Sequence, residues 1–117
     1  MRSPTQRTLN LLRKDGYIAQ VVERWNPYAK VRQDLFGIID VLAMHSEVTG
    51  VVGIQATSYS NISSRVQKTM QSEHIKTWLQ AGNGFYVHGW KKKGSRWECH
   101  MREFSIVGNT VVVDKVE

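Results

Sequence analysis

Two apolar runs occupy the middle of the chain, and each contains a polar residue near its centre. Residues 37–44 surround Asp40, and residues 50–58 surround Gln55. The polar segment between them, ending before Gly50, is typical of a hairpin connection. Folding the chain about this segment places Asp40 beside Gln55 and Ala56. Polar groups inside apolar strands cost free energy unless they are satisfied or used, so the pattern predicts a buried β-hairpin that carries a functional site.

The charge balance points to a polyanionic partner. The chain has 117 residues, enough for one hydrophobic core and too few for two. Sixteen Lys and Arg residues against ten Asp and Glu residues leave a formal charge of +6. A basic balance of this size favours nucleic acid, with a merely soluble basic surface as the alternative.

Cysteine use and hydropathy restrict the compartment. Cys99 is the only cysteine, which excludes an internal disulfide and a cysteine-rich zinc site and fits a reducing cytoplasm. No apolar stretch approaches the length of a membrane span, and the first residues do not resemble a signal peptide. We therefore expect a cytoplasmic domain that does not contact a membrane.

The remaining patterns predict an α+β domain, layered and with a mixed central sheet, in the order α-β-β-β-α-β-β-β. Ser3 and Pro4 begin a helix that Gly16 ends. The other predicted elements are a strand at 17–25, a basic loop at 28–33, the hairpin strands, helices at 62–71 and 72–81, and strands at 85–90, 96–101 and 110–113.

Oxygen-bearing side chains of the hairpin form a candidate metal site. Asp40 is the best anchor, because a bare carboxylate among isoleucine, valine and leucine would be costly. Gln55 offers a neutral oxygen, and Thr57 shares its strand face. Asp34, six residues before Asp40, and Glu23, on the preceding strand, could add carboxylates. Mg²⁺ prefers such ligands, so we expect Mg²⁺ or Mn²⁺ here.

A purely structural interpretation of the same residues stays open. Asp40 could form an ion pair with Arg65 or Lys68, and Gln55 could satisfy backbone groups. In that case the hairpin would contain an internal polar contact and no metal.

The segments 34–43 and 51–58 resemble the core hairpin of the PD-(D/E)XK nuclease superfamily. They are most similar to its small Holliday junction resolvase-like and VRR-NUC-like members, of the kind encoded by phages. The resemblance implies a restriction-endonuclease-like core, built from a helix, a three-strand meander, a helix and a further strand. It also implies Mg²⁺- or Mn²⁺-dependent cleavage of DNA, of branched or structured DNA in particular, by a homodimer in a bacterial or phage-infected cell.

The resemblance assigns roles to residues of the hairpin. Asp40 takes the place of the metal-binding Asp, Gln55 that of the second acidic ligand, and Thr57 that of the catalytic Lys. Glu23 or Asp34 takes the place of an additional acid.

The chain departs from the family pattern at two of these positions. Gln55 removes a negative charge, and Thr57 removes the cation that would orient the water. Lys68, on the following helix, is the expected replacement for that cation, with Arg65 and Lys30 as further candidates. A DNA-binding protein without activity and a phage accessory interaction domain are therefore alternatives.

Basic and polar residues predict two DNA-contacting groups. Trp90 and Trp97 flank one of them and could pair across strands, but two core tryptophans are the favoured interpretation. The group near the site comprises Lys30, Arg32, Arg65, Ser58 and Asn61; the other, at a hairpin tip, comprises Lys91, Lys92, Lys93 and Arg96.

Overall fold

A mixed six-stranded sheet forms the centre of the computed structural model, which describes residues 2–116. The strands are β1 (Ile18–Val21), β2 (Arg24–Asn26), β3 (Val31–Gln33), β4 (Val41–Met44), β5 (Val52–Ser58), β6 (Gly84–Lys93), β7 (Arg96–Val107) and β8 (Thr110–Val116). The sheet order is β1-β4-β5-β6-β7-β8, and β2 pairs only with β3. Strands β5 and β6 are parallel and the other pairs are antiparallel. The predicted α+β class and mixed sheet are confirmed.

Among residues 2–116, three helices cover the sheet: α1 (Pro4–Lys14), α2 (Ile62–Met70) and α3 (Ile75–Gln80). The Ser3 hydroxyl accepts a hydrogen bond from the backbone N–H of Gln6, and Gly16 follows the last turn at φ 90°, as the sequence predicts. A single 3₁₀ turn, Tyr59–Asn61, precedes α2. Within residues 2–116, no helix is both long enough and apolar enough to cross a membrane.

The alternation of side chains along the strands separates two hydrophobic clusters. One cluster lies between the sheet and α1 and includes Leu9, Leu12, Val41, Val52 and Ile54. The other lies against α2 and α3 and includes Ile39, Ile75, Phe85, Val87 and Phe104. In β5, Gln55 and Thr57 alternate with Ile54 and therefore face the second layer.

The predicted hairpin corresponds to β4 and β5, with Val41 opposite Ile54. The Asp40 N–H donates to the Ile54 carbonyl, so Asp40 lies at the start of β4 beside Gln55, as predicted. The strand is shorter than the run 37–44, because Phe36 at φ 55° and Gly37 at φ 74° turn the chain just before it. This turn places residues 34–39 in a loop that precedes β4.

The predicted strand at 17–25 is confirmed only in part, because it is broken into two strands, and the second half of the predicted loop at 28–33 is a strand. Strand β1 ends at Val21, and the N–H groups of Val22 and Glu23 both point to the Asp40 carbonyl, at N···O distances of 2.8 and 3.3 Å. The chain leaves the main sheet there and forms the β2–β3 hairpin, in which residues of the predicted loop make β3.

The last strands extend further than predicted, and a turn at Gly94 places Lys93 opposite Arg96. In this register Trp90 faces Cys99 and Trp97 faces Lys92, so the predicted tryptophan pair is wrong. Trp90 is instead buried and donates its Nε1–H to the hydroxyl oxygen of Thr8 in α1, at 3.0 Å. Trp90 is therefore a core residue, as favoured, whereas Trp97 is 42% exposed, so the prediction of a core position is wrong for Trp97.

Candidate metal centre

Three carboxylates converge at the start of β4. Glu23, Asp34 and Asp40 each offer an oxygen, and these oxygens lie within 4.8 Å of one another. The β2–β3 register pairs Arg24 with Gln33, so Glu23 and Asp34 occupy the two ends of that hairpin. The backbone hydrogen bonds from residues 22 and 23 to the Asp40 carbonyl then join the hairpin to β4. A separate small hairpin thus completes the site that the β4–β5 pair begins.

Asp40 is the buried member of the cluster, with 6% of its surface exposed. One of its oxygens, Oδ2, accepts a hydrogen bond from the Ala56 N–H at 3.0 Å. Burial raises the pKa of Asp40 to about 8, hydrogen bonding and repulsion from Asp34 and repulsion from Glu23 add to the rise, and the Ala56 hydrogen bond opposes it. At neutral pH Asp40 therefore keeps its proton, and a cation that displaces this proton would offset the repulsion among the three ionised carboxylates.

Gln55 contributes a neutral oxygen to the same place. It is 1% exposed, and its Nε2 donates to Asp34 Oδ2 at 3.1 Å. Its Oε1 is buried and accepts no hydrogen bond from residues 2–116. A buried amide oxygen without a donor costs free energy, and the same oxygen type is a ligand of hard cations. The unpaired oxygen therefore fits the predicted role of Gln55 as a metal ligand.

Two cations border the cluster. Lys68 Nζ lies 3.4 Å from Asp34 Oδ2, and Arg32 Nη1 lies 3.0 Å from Glu23 Oε1. Within residues 2–116, Asp40 forms no ion pair, so the predicted structural pairing with Arg65 or Lys68 is not formed. Lys68 does reach back from α2 over the site. The side chain of Arg32 is 71% exposed and that of Lys68 is 45% exposed, so solvent reaches both ion pairs.

Thr57 lies two residues beyond Gln55 on the same face of β5 and is buried. Its short neutral side chain provides no charge at the position where the family pattern has Lys. Arg65 has a buried Nε without a hydrogen-bond partner among the described residues. Lys30 is exposed at the turn of the β2–β3 hairpin, at φ 55°. Neither Arg65 nor Lys30 forms an ion pair with the carboxylates.

The other predicted DNA-contacting residues do not bond to the carboxylate cluster. Asn61 Nδ2 donates to Ser58 Oγ at 3.1 Å, a local contact at the start of α2. Lys91 Nζ lies 4.7 Å from the centre of the Tyr59 ring. The residues Lys92, Lys93 and Arg96 are exposed at the tip of the β6–β7 hairpin. Within residues 2–116, none of these side chains forms a hydrogen bond or ion pair with the carboxylates. Their contact with DNA stays a prediction.

A cleft of about 660 Å³ opens beside Asp34. Arg24, Arg32, Phe36 and Lys68 are among the residues that line it. Neither Arg24 nor Phe36 is among the site residues predicted from the sequence. Arg24 lies in the predicted long strand, and no pattern assigns a role to Phe36. The dipeptide Asn26-Pro27, which is typical of a turn, was the available indication that the chain reverses here.

Comparison of the chain with protein-family models, with curated proteins and with solved structures gives no match.

Proposed function

We propose that this chain is a metal-dependent nuclease that hydrolyses phosphodiester bonds of DNA. The observation that carries the proposal is the convergence of Glu23, Asp34 and Asp40 beside the unpaired Oε1 of Gln55. A cleft bordered by arginine and lysine side chains opens next to them. Carboxylates that repel one another are suited to a divalent cation, and cations around them are suited to a phosphate.

The donor set fits Mg²⁺ or Mn²⁺. All the candidate ligands are oxygens: the carboxylates of Asp40, Asp34 and Glu23 and the amide oxygen of Gln55. When bound, such an ion supplies Lewis acidity, which offsets charge on a phosphate and lowers the pKa of a coordinated water.

The remaining chemistry belongs to the protein. Lys68 is the cation closest to Asp34, and its ammonium has three N–H donors that can hold a phosphate oxygen or orient the attacking water. Arg32 and Arg24 lie on the cleft wall, where guanidinium groups can bind phosphate oxygens with two parallel hydrogen bonds. Lys68 therefore takes the role that Thr57 cannot fill.

The order of the elements supports a restriction-endonuclease-like core. Helix α1 is followed by β1, β4 and β5, which form an antiparallel meander, and α2 and α3 together connect β5 to the parallel strand β6. The resemblance implies this order of helix, three strands, helix and strand. The small β2–β3 hairpin is an insertion between the first two strands of the meander.

The proposal includes a homodimer in a reducing cytoplasm. Strand β8 ends the sheet, and among residues 2–116 no strand pairs with its outer edge, which leaves backbone groups that a second copy could pair. Cys99 is consistent with a reducing compartment.

A DNA-binding domain without hydrolytic activity is the second candidate. The buried, neutral Thr57 favours it, because the site then depends on Lys68, which is exposed and has to change its partner. This candidate predicts DNA binding that weakens steeply with salt and does not require a metal.

Cleavage of labelled DNA separates these candidates. Single-stranded, duplex and four-way-junction DNA are incubated with Mg²⁺, Mn²⁺ or EDTA, with wild-type protein, Asp40→Asn and the matched surface variant Asp114→Asn. We expect metal-dependent cutting by the wild type and by Asp114→Asn, and none by Asp40→Asn. Cutting that survives Asp40→Asn would overturn the nuclease assignment, and binding without cutting would establish the second candidate.

A further inference from the structure

The β2–β3 hairpin projects outside the main sheet, and its two ends hold the carboxylates of the candidate site. Glu23 immediately precedes β2 and Asp34 immediately follows β3. We call residues 24–33 the arm. Its strands pair with each other and with no strand of the six-stranded sheet. Whatever the arm binds is thereby placed beside the carboxylate cluster.

The arm carries aromatic side chains that the fold does not use. Trp25 is 57% exposed and Tyr28, at the tip, is 96% exposed. Neither belongs to a hydrophobic cluster of the described residues. Large rings left in water are typical of a binding surface, because burial elsewhere in the fold would otherwise stabilise them.

All charged residues of the arm are basic. Its cations are Arg24, Lys30 and Arg32, and it contains no Asp or Glu. Trp25 lies opposite Arg32 in the pairing of the two strands, and the Arg32 guanidinium is ion-paired with Glu23 at the base of the arm. Alternating aromatic and cationic groups match a chain of bases and phosphates, in which each base presents a flat face and each phosphate a negative charge.

The tip is held in one conformation. The Asn26 Oδ1 accepts hydrogen bonds from the N–H groups of Tyr28 and Ala29, at 3.0 and 3.1 Å. Lys30 completes the turn in the left-handed region, at φ 55°. Tyr28 is therefore presented at the end of an ordered turn.

We propose that the arm binds a DNA strand whose bases are unpaired, stacking them on Trp25 and Tyr28 and directing the neighbouring phosphate into the cleft. This inference rests on the proposed nuclease function and names its substrate class as single-stranded DNA or the single-stranded part of a larger structure. A blunt duplex hides its base faces inside the helix, so only its phosphates could engage the arm. Stacking explains why the rings are exposed next to a phosphate-binding cleft.

Binding of labelled oligonucleotides tests the arm. Fluorescence anisotropy in EDTA compares one single-stranded sequence with the blunt duplex of the same sequence. The Trp25→Leu/Tyr28→Leu protein is compared with Trp25→Phe/Tyr28→Phe, which keeps both rings. We expect tighter binding of the single strand, a loss of about tenfold or more per ring in the leucine protein, and near-wild-type binding by the phenylalanine protein.

Three results would overturn the inference: equal affinity for the single strand and the duplex, leucine variants that bind like the wild type, and absence of binding to either DNA. Thermal unfolding of the leucine protein verifies that the main sheet is intact. The same oligonucleotides, incubated with Mn²⁺, separate this inference from the nuclease proposal. Cutting that does not change in the leucine protein rejects the arm alone, whereas arm-dependent binding without cutting rejects the nuclease alone.

Discussion

Replacing Asp40 with asparagine should stabilise the metal-free protein. Burial, and then the neighbouring Asp34 and Glu23, raise the pKa of Asp40 from its ordinary 3.8 to about 8. Above pH 3.8 the unfolded chain therefore releases a proton that the folded protein keeps until about pH 8. Because the pKa is raised in the folded protein, the free energy of unfolding falls as the pH rises through this interval. The decrease is up to about 1.4 kcal/mol per pH unit.

At neutral pH this amounts to a penalty on the order of 3 to 5 kcal/mol, a large part of the stability of a small domain. Asparagine binds no proton and can still accept the hydrogen bond from Ala56. Urea unfolding in EDTA, followed by tryptophan fluorescence, should show that the advantage of Asp40→Asn over the wild type grows as the pH increases. The exposed control Asp114→Asn should follow the wild type. An Asp40→Asn protein that is less stable than the wild type at about pH 8, or an advantage that does not change with pH, would refute the reasoning.

Three further predictions concern the core. Burial lowers the pKa of His88 to about 4, so the unfolded chain binds a proton first and the free energy of unfolding should fall as the pH drops from about 6.5 to about 4. In urea unfolding, the difference in stability between wild type and His88→Gln should change over this interval. Stability curves of the two proteins that run parallel with pH would contradict the prediction. Thr8→Val removes the acceptor of the Trp90 Nε1–H and the hydroxyl that lies 3.1 Å from His88 Nδ1, at a cost of about 2–4 kcal/mol. Thermal unfolding should place Thr8→Ser, which keeps the hydroxyl, near the wild type, and equal losses in both variants would count against the network. A Cβ at Gly89 would collide with a buried isoleucine of α2, whereas a Cβ at Gly84 would meet Val52 Cγ2 at 3.6 Å. Gly89→Ala should therefore lower the free energy of unfolding by about 1–3 kcal/mol, and Gly84→Ala should lower it much less. Similar melting temperatures for the two variants would show that α2 does not pack closely on β6.

The elements that could be predicted from the sequence are those specified by local signals. Ser3, Pro4 and Gly16 define the first helix by capping chemistry and a left-handed stop. The polar segment between two apolar runs fixes the β4–β5 register, and this register places Asp40 beside Gln55. The core of the candidate site followed from that register.

The rest depended on contacts between distant segments. The continuous β-like pattern at 17–25 gives no sign that Val22 and Glu23 bind the Asp40 carbonyl and leave the sheet. The left-handed conformation of Phe36, in the turn that follows Asp34, is unusual for a non-glycine residue, and no local pattern predicts it. A Trp90–Trp97 pair requires a turn centred between residues 93 and 94, whereas the observed turn is centred one residue later, which changes every cross-strand partner.

Titration with Mn²⁺ tests the central claim, that the three carboxylates and Gln55 form a cation site. Free Mn²⁺ is followed by its electron paramagnetic resonance signal as protein is added, for the wild type, Asp40→Asn and Asp114→Asn. The account predicts saturable binding by the wild type and by Asp114→Asn, which Mg²⁺ displaces and Asp40→Asn abolishes. Binding that persists in Asp40→Asn, or a wild-type protein that leaves the Mn²⁺ signal unchanged, would contradict it.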